Sequence, residues 1–281
     1  MKVLAAYEVA EAGSALDAVR YSRYKHGSAG AVAAFAETLA GLAVATLPGL
    51  LDGPVTITAP ASRSVPIGAD LLADGVLRAV NHERAQRGTG PAVRAKLHRF
   101  AVPAGDYGGL SGVDRRALLA AERISGIPEL FAGRDVVIVD DLWVTGASAE
   151  VTVDAVARYA PRSVTYLVIA TVEPGYAARR PEVEAELNHA AVDSLKALGD
   201  LGPMTVNQRV CKFVLRQEPR AIGEWLEHVP AHTAWQLYAG VLAEGFLAEP
   251  GFADAARVIV NVADGRDLDA AAATHGWGLG G

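Results

Sequence analysis

The chain has 281 residues, 51% of them hydrophobic and 21% charged, with a formal net charge of −6. That is enough apolar material for a sizeable core, as one large domain or a core domain with an appendage. The acidic balance argues against broad nucleic-acid or anionic-membrane binding while leaving room for a local basic pocket, and the single cysteine, Cys211, excludes an internal disulfide and fits a reducing, cytoplasmic compartment.

The opening MKVLAAYEVAEAGSALD has a short apolar stretch broken by Glu8 and Glu11, unlike a secretory leader. The longest apolar run, residues 29–51, is interrupted by Glu37, Gly41, Pro48 and Gly49, so no membrane span is expected. Alanine-, leucine- and valine-rich residues 31–47 predict a helix. Asp52-Gly53-Pro54 predicts a turn, residues 55–58 a short strand, 61–66 a loop and 67–80 the next helix. Residues 86–111 turn polar and glycine-rich and predict a mobile loop with a strand at 98–102, followed by a helix over 114–124. The run VVIV at 136–139 predicts a strand buried on both faces, as in a parallel sheet. A helix over 149–159 and a strand over 164–172 complete a βαβ unit. Beyond Pro174 the pattern becomes helical over 181–198 and 222–248, with a last strand at 258–262 and a glycine-rich tail.

The informative segment is VVIVDDLWVTGAS, residues 136–148. It sets Asp140 and Asp141 at the carboxyl end of a buried strand, the edge where open α/β sheets bind ligands. Thr145-Gly146-Ala147-Ser148 then opens a helix, whose first turn offers unpaired N–H groups and a positive dipole end to a phosphate. Gly146 lets the backbone approach an anion closely, and Thr145 and Ser148 add hydroxyl donors. Two carboxylates beside a phosphate site would repel a nucleotide tail but suit the hydroxyls of a sugar. These residue types ask for a ligand with a phosphate at one end and a diol beside it. A Walker-type loop does not fit, because no Gly-Lys-Ser/Thr follows a glycine-rich turn, and DYGGLSG at 106–112 lacks dinucleotide-binding spacing.

The same segment resembles the motif by which type I phosphoribosyltransferases bind 5-phosphoribosyl-1-pyrophosphate (PRPP): four apolar residues, two acidic ones, three variable positions, then Thr-Gly-x-Ser/Thr. The resemblance implies that Asp140 and Asp141 hold the ribose hydroxyls and that Thr145, Gly146, Ala147 and Ser148 cradle the 5′-phosphate. Trp143, unusual at a variable position, either stacks on the acceptor in its pocket or packs. TITAPASRSVPIG, residues 56–68, falls where the family grips pyrophosphate, so Ser62, Arg63 and Ser64 are expected to offer a cation, hydroxyls and backbone N–H groups. YSRYKHG, residues 21–27, resembles the opening segment of ComF-like members; Lys25, with Arg23 as second choice, is the cation expected to reach the pyrophosphate. The stretch 86–111 corresponds to the family's flexible catalytic loop, with Lys96, Arg99, Asp106 and Tyr107 as its working residues. The scattered histidines show no spacing for a transition metal.

The resemblance implies an α/β fold: a doubly wound, mainly parallel sheet over residues 1–173, with a mostly helical hood at 174–281. It implies a Mg²⁺-dependent transferase that moves the phosphoribosyl group from PRPP to an acceptor and releases pyrophosphate, with Arg63, Lys25, Asp140 and Asp141 as the catalytic set. Mg²⁺ would be held mainly by PRPP. The expected partners are these small molecules, not nucleic acid or membrane, with a homodimer as the assembly. Two rivals stay open: a PRPP-sensing regulator without transfer activity, and a phosphohydrolase or phosphotransferase on the same scaffold. The acceptor is not written in the sequence.

Overall fold

The computed structural model describes residues 1–100 and 123–265. They divide into two compact units, the first built from residues 1–17, 32–63, 69–100 and 123–184, the second from 18–31, 64–68 and 185–265.

The first unit is a sheet flanked by helices. Its strands, in chain order, are β1 (Lys2–Ala10), β2 (Gly13–Ser14), β3 (Val55–Thr58), β4 (Val93–Arg94), β5 (His98–Phe100), β6 (Arg123–Ser125), β7 (Asp135–Trp143) and β8 (Ser163–Val172). Six of them form one sheet in the order β2-β1-β8-β7-β3-β4, while β5 and β6 pair separately. Every pairing in the large sheet is parallel except the short β1–β2 hairpin. The α/β class and mainly parallel sheet therefore stand. The reason lies in β7 and β8: Val136–Val139 and Tyr166–Ala170 are all buried, as strands covered on both faces must be. The nine-residue β1 has no counterpart in the sequence reading. Its Ala-rich KVLAAYEVA lacks both a β-branched run and clean alternation, and only pairing with β8 fixes it.

In chain order the first helices are α1 (Ala18–Lys25), α2 (Ala29–Thr46), α3 (Gly68–Gln86) and, after β7, α4 (Ala147–Ala157). On α3, Ala69, Leu72, Ala73, Val76 and Val80 are buried at helical spacing. The end of α3 is pinned by Arg84, whose buried guanidinium donates to the carbonyls of Leu50, Gly53 and Gly90. Helix α2 is long and apolar enough to cross a membrane by length and composition alone. One face of it, Phe35, Ala36, Leu39, Ala40 and Ala43, is buried in the first unit. The predicted mobile loop is also revised in its first half. Ala92, Ala95 and Leu97 are core residues, and β4 adds to the sheet beside β3. Its second half, and most of the predicted helix at 114–124, lie outside the described residues, although Ile124 itself belongs to β6.

The second unit is helical. The first unit ends with α5 (Pro174–Arg179) and the start of α6 (Val183–His189); the second unit continues through α7 (Leu195–Gly199), α8 (Gln208–Leu215), α9 (Pro219–Leu226), α10 (Ala231–Glu244) and α11 (Ala253–Gly265). Val210, Val214, Ile222, Leu226, Leu237, Val241 and Ile259 form its core. The strand expected at 258–262 is instead part of α11. Its β-branched run favours a strand locally, but Ala255, Ala256, Ile259 and Ala263 recur at helical spacing and are buried, so packing overrides propensity.

Topology places one crevice above the sheet. From β3 the chain runs through α3 to β4 on one side, and from neighbouring β7 through α4 to β8 on the other. Adjacent strands whose connections leave in opposite directions make a topological switch point, and their carboxyl ends flank the place where open α/β sheets take ligands.

Candidate functional site

At the carboxyl end of β7, Asp140 and Asp141 are half-buried, just past the buried Val136–Val139 run. The parallel register sets Ile138 beside Tyr166 of β8. From there the buried Tyr166 phenol donates to Asp140 Oδ2 at 2.7 Å, while the Asp141 N–H donates to Oδ1 at 2.9 Å. Each carboxylate oxygen keeps acceptor capacity, because it has two lone pairs. Burial, then the Asp140 charge, pushes the phenol well above its ordinary range, so it remains an O–H donor. Asp140 is thus an oriented acceptor. Sequence reasoning missed Tyr166, although a tyrosine inside a buried strand always raises the question of where its hydroxyl bonds.

The turn after β7 is shaped by one glycine. Gly146 has φ 79°, and a Cβ there would lie 2.6 Å from the Trp143 ring. No other residue fits without displacing that indole. Trp143 packs edge-on to Tyr166, with ring centroids 5.4 Å apart. Of its two sequence-level roles, packing is the one the geometry displays. Thr145, Ala147 and Ser148 are exposed at the start of α4, where first-turn N–H groups and the positive end of the helix dipole meet solvent.

Across the switch point, the loop after β3 departs from expectation in part. Ser62 is buried, and its hydroxyl donates to Asp70 Oδ2 at 2.8 Å rather than pointing outward. Asp70 also takes a 2.8 Å ion pair from Arg94, a buried carboxylate satisfied by two donors. The Ser62 backbone is stitched to the strand at 97–99, its N–H donating to Leu97 and its carbonyl accepting from Arg99. Arg63 follows and is exposed. The Ser64 N–H, expected to face an anion from outside, donates instead to Glu244 Oε1 within the second unit.

Lys25 lies at the end of α1 in the second unit, its Nζ 5.8 Å from the centre of the Tyr21 ring, and Arg23 is exposed on the same helix. Lys96 and Arg99 are half-buried in the segment that follows β4. Asp106 and Tyr107 lie outside the described residues. Among the described residues no three histidine, cysteine or carboxylate side chains gather as a metal site.

A family model described as PRTase ComF-like matches residues 2–259. No curated protein matches the chain. Among solved structures, it is similar to a hypoxanthine phosphoribosyltransferase from Staphylococcus aureus, with 11% identity over 51% of this chain and 66% of that one, and a TM-score of 0.32. It is also similar to the hypoxanthine phosphoribosyl transferase of Trypanosoma cruzi, with 15% identity over 56% of this chain and 68% of that one, again with a TM-score of 0.32. A third similarity, to an allosteric regulatory enzyme of purine biosynthesis, has 16% identity over 67% of this chain and a TM-score of 0.32. The chain spans 38% of the length of that third protein and about two thirds of the first two.

Proposed function

Starting from the fact that the chain belongs to the ComF-like phosphoribosyltransferase family, we propose that it transfers the 5-phosphoribosyl group of PRPP to a small, aromatic or nucleobase-like acceptor, releasing pyrophosphate. The observation that carries this reading is a coincidence of motif and topology. The acidic pair and the Thr-Gly-Ala-Ser turn fall at the carboxyl end of β7, on the switch point between β7 and β3.

The ribose hydroxyls donate to Asp140 and Asp141, and the 5′-phosphate sits on the N–H groups and hydroxyls of residues 145–148. The bond from ribose C1 to the pyrophosphate oxygen breaks. A bond to the acceptor's nitrogen, oxygen or carbon forms from the opposite face, and the acceptor's proton leaves to solvent or a buffering group. Positive charge grows on the ring in the transition state, where two carboxylates favour it, while Arg63 meets the negative charge gathering on the leaving group. Mg²⁺, when bound, would screen the pyrophosphate charge. Substrate oxygens would supply most of its ligands, and Asp140 and Asp141 are the carboxylates of the motif that would add to them.

Incubating the protein with PRPP and Mg²⁺, with and without a fractionated metabolite extract, tests the reading. Acceptor-dependent pyrophosphate release supports transfer. Tight PRPP binding with no release under any fraction would favour a sensor, and acceptor-independent release would favour a hydrolase.

A further inference from the structure

The two edges of the six-stranded sheet are finished differently. At one end β4 is two residues long, and its Arg94 is tied by ion pairs to Asp70 and Asp74 at 2.8 and 2.7 Å. A short, charged edge strand is a poor template for another chain. At the other end β1 runs for nine residues, yet β2 pairs only with its Val9 and Ala10. Residues 2–8 have β8 on one side and, among the described residues, no strand on the other. All four strands belong to the first unit.

The bonds at the end of β1 tell which backbone groups face the open side. The Glu8 carbonyl accepts from the Ser14 hydroxyl on β2 at 2.9 Å, and the Val9 carbonyl accepts from the Glu173 N–H, just past β8, at 2.9 Å. Backbone groups alternate in direction along a strand, so Lys2, Leu4 and Ala6 turn their N–H and C=O groups to the open edge. Val3, Leu4, Ala5 and Ala6 are apolar and only half-buried, unlike the buried runs of β7 and β8. An edge of this length and composition invites strand pairing.

The sequence of the edge identifies its occupant. Lys2 and Glu8 are exposed, form no ion pair among the described residues, and lie on one face of the strand because both are even-numbered. The residues between them carry no charge. A second copy turned antiparallel about Ala5 sets its Glu8 opposite Lys2 and its Lys2 opposite Glu8. In that register Leu4 and Ala6 exchange backbone bonds with Ala6 and Leu4 of the second copy. Shifting the axis by one residue either way separates the charges. A shift toward Ala6 also sets Lys2 of the second copy against Ala10, which β2 already holds. The edge is therefore complementary to itself in one register, and a contact identical on both copies closes as a two-fold dimer.

We infer that β1 is a dimerisation edge: two copies of this chain pair antiparallel through residues 2–8, centred on Ala5, and join their two sheets into one. This goes beyond the phosphoribosyl-transfer reading and does not depend on it.

Sedimentation equilibrium of the full chain at low salt reads the association, and melting of each variant checks its fold. Wild type is expected to be dimeric at about 100 µM. Ala6→Pro removes an N–H on the open side and leaves the bonds to β8, so it should weaken dimerisation by about a hundredfold or more. Lys2→Glu and Glu8→Lys, each alone, set like charges opposite one another twice per dimer and should weaken it about tenfold. Lys2→Glu combined with Glu8→Lys restores the opposite pairs and should return association to within about threefold of wild type, a rescue that mere damage to β1 would not produce. A wild type that stays monomeric at about 100 µM overturns the inference. So does a dimer indifferent to Ala6→Pro, because its contact must lie elsewhere. A double exchange no better than the single reversals overturns the register and the inference with it. Should Ala6→Pro not fold, the charge series decides alone.

Discussion

The loops that follow the neighbouring strands β7 and β3 are built in opposite ways. At 140–148, each group is placed by residues a few positions away or one strand over: the Asp141 N–H on Asp140, the Trp143 ring over Gly146, the Tyr166 hydroxyl from paired β8. At 61–66, the chain is held from a distance: Ser62 by Asp70 and by the segment at 97–99, and Ser64 and Val65 by Glu244. Strand–turn–helix geometry is local, so the first site can be written as one contiguous motif. A loop without regular structure takes its shape from whatever satisfies its backbone, and those partners can sit anywhere in the sequence.

The largest effect belongs to the locally built side. Asp140→Asn together with Asp141→Asn should weaken ribose 5-phosphate and PRPP by roughly a hundredfold or more, since charge-assisted hydrogen bonds contribute about 1.5–3 kcal/mol each. Melting should change little, because both side chains are only half-buried at a strand end. Tyr166→Phe sharpens the point: it strips one bond from Asp140, worth about 1 kcal/mol, and should weaken ribose 5-phosphate severalfold. Added to the double variant it should cost no further affinity, because it acts through Asp140. Calorimetry of a folded double variant with unchanged affinity would falsify the ribose assignment.

A second contrast is one of pH. In the second unit His26 is fully buried, its Nδ1 2.9 Å from the Ser22 carbonyl and its ring edge-on to Phe213. Burial first, then Arg209, His189 and Lys25 nearby, lower it from its ordinary 6.5 to about 4, against the Ser22 bond, which favours the proton. As pH falls the unfolded chain takes up this proton before the folded one. The stabilisation from keeping His26 neutral is complete above pH 6.5 and is lost on descending to about 4. The gap corresponds to about 3 kcal/mol at most. Carboxylates such as Asp135, lowered chiefly by Arg162, add their own acid sensitivity, so the informative quantity is a difference. His26→Gln keeps a donor and cannot titrate. Its stability in denaturant should lag behind wild type at pH 7 and draw level, or pass it, near pH 4. A constant gap across that range would mean His26 does not titrate as described.

What the sequence disclosed follows the same division. VVIV at 136–139 and the run 164–172 were legible as buried parallel strands because four or more adjacent apolar residues admit few other readings. The strand end at Asp140-Asp141 and the helix start after Thr145-Gly146 were legible because that geometry depends on local spacing. Strand β1 was not, since its alanines pack only once β8 is beside them, and residues 258–262 misled because β-branched composition spoke louder than spacing. Ser62 and Ser64 were expected to offer groups to pyrophosphate from the place of their loop in the family resemblance, yet the Ser62 hydroxyl and the Ser64 amide each bond an acceptor of this chain. Here those acceptors are Asp70 and Glu244, which no local pattern announces.

An effect smaller than that of the acidic-pair variant tests what is left of the distant-built loop, the exposed Arg63. With the Ser62 hydroxyl and the Ser64 amide bonded internally, Arg63, the cation of the 59–68 loop, is its strongest candidate contact to a departing pyrophosphate. Its guanidinium can form two parallel bonds to phosphate oxygens, a geometry an ammonium does not reproduce. Exposure limits the gain, because solvent and salt screen the charge. Arg63→Ala should therefore weaken Mg²⁺-pyrophosphate by about tenfold, and Arg63→Lys by severalfold, each less as ionic strength rises. Ribose 5-phosphate should bind almost as in wild type, since its proposed contacts are those of the segment 140–148 after β7. That split between ligands is the decisive readout. If both weaken together, Arg63 acts on the whole site through its fold or field. If neither changes at low salt, the pyrophosphate is held elsewhere, and the chemistry of this loop is structural throughout.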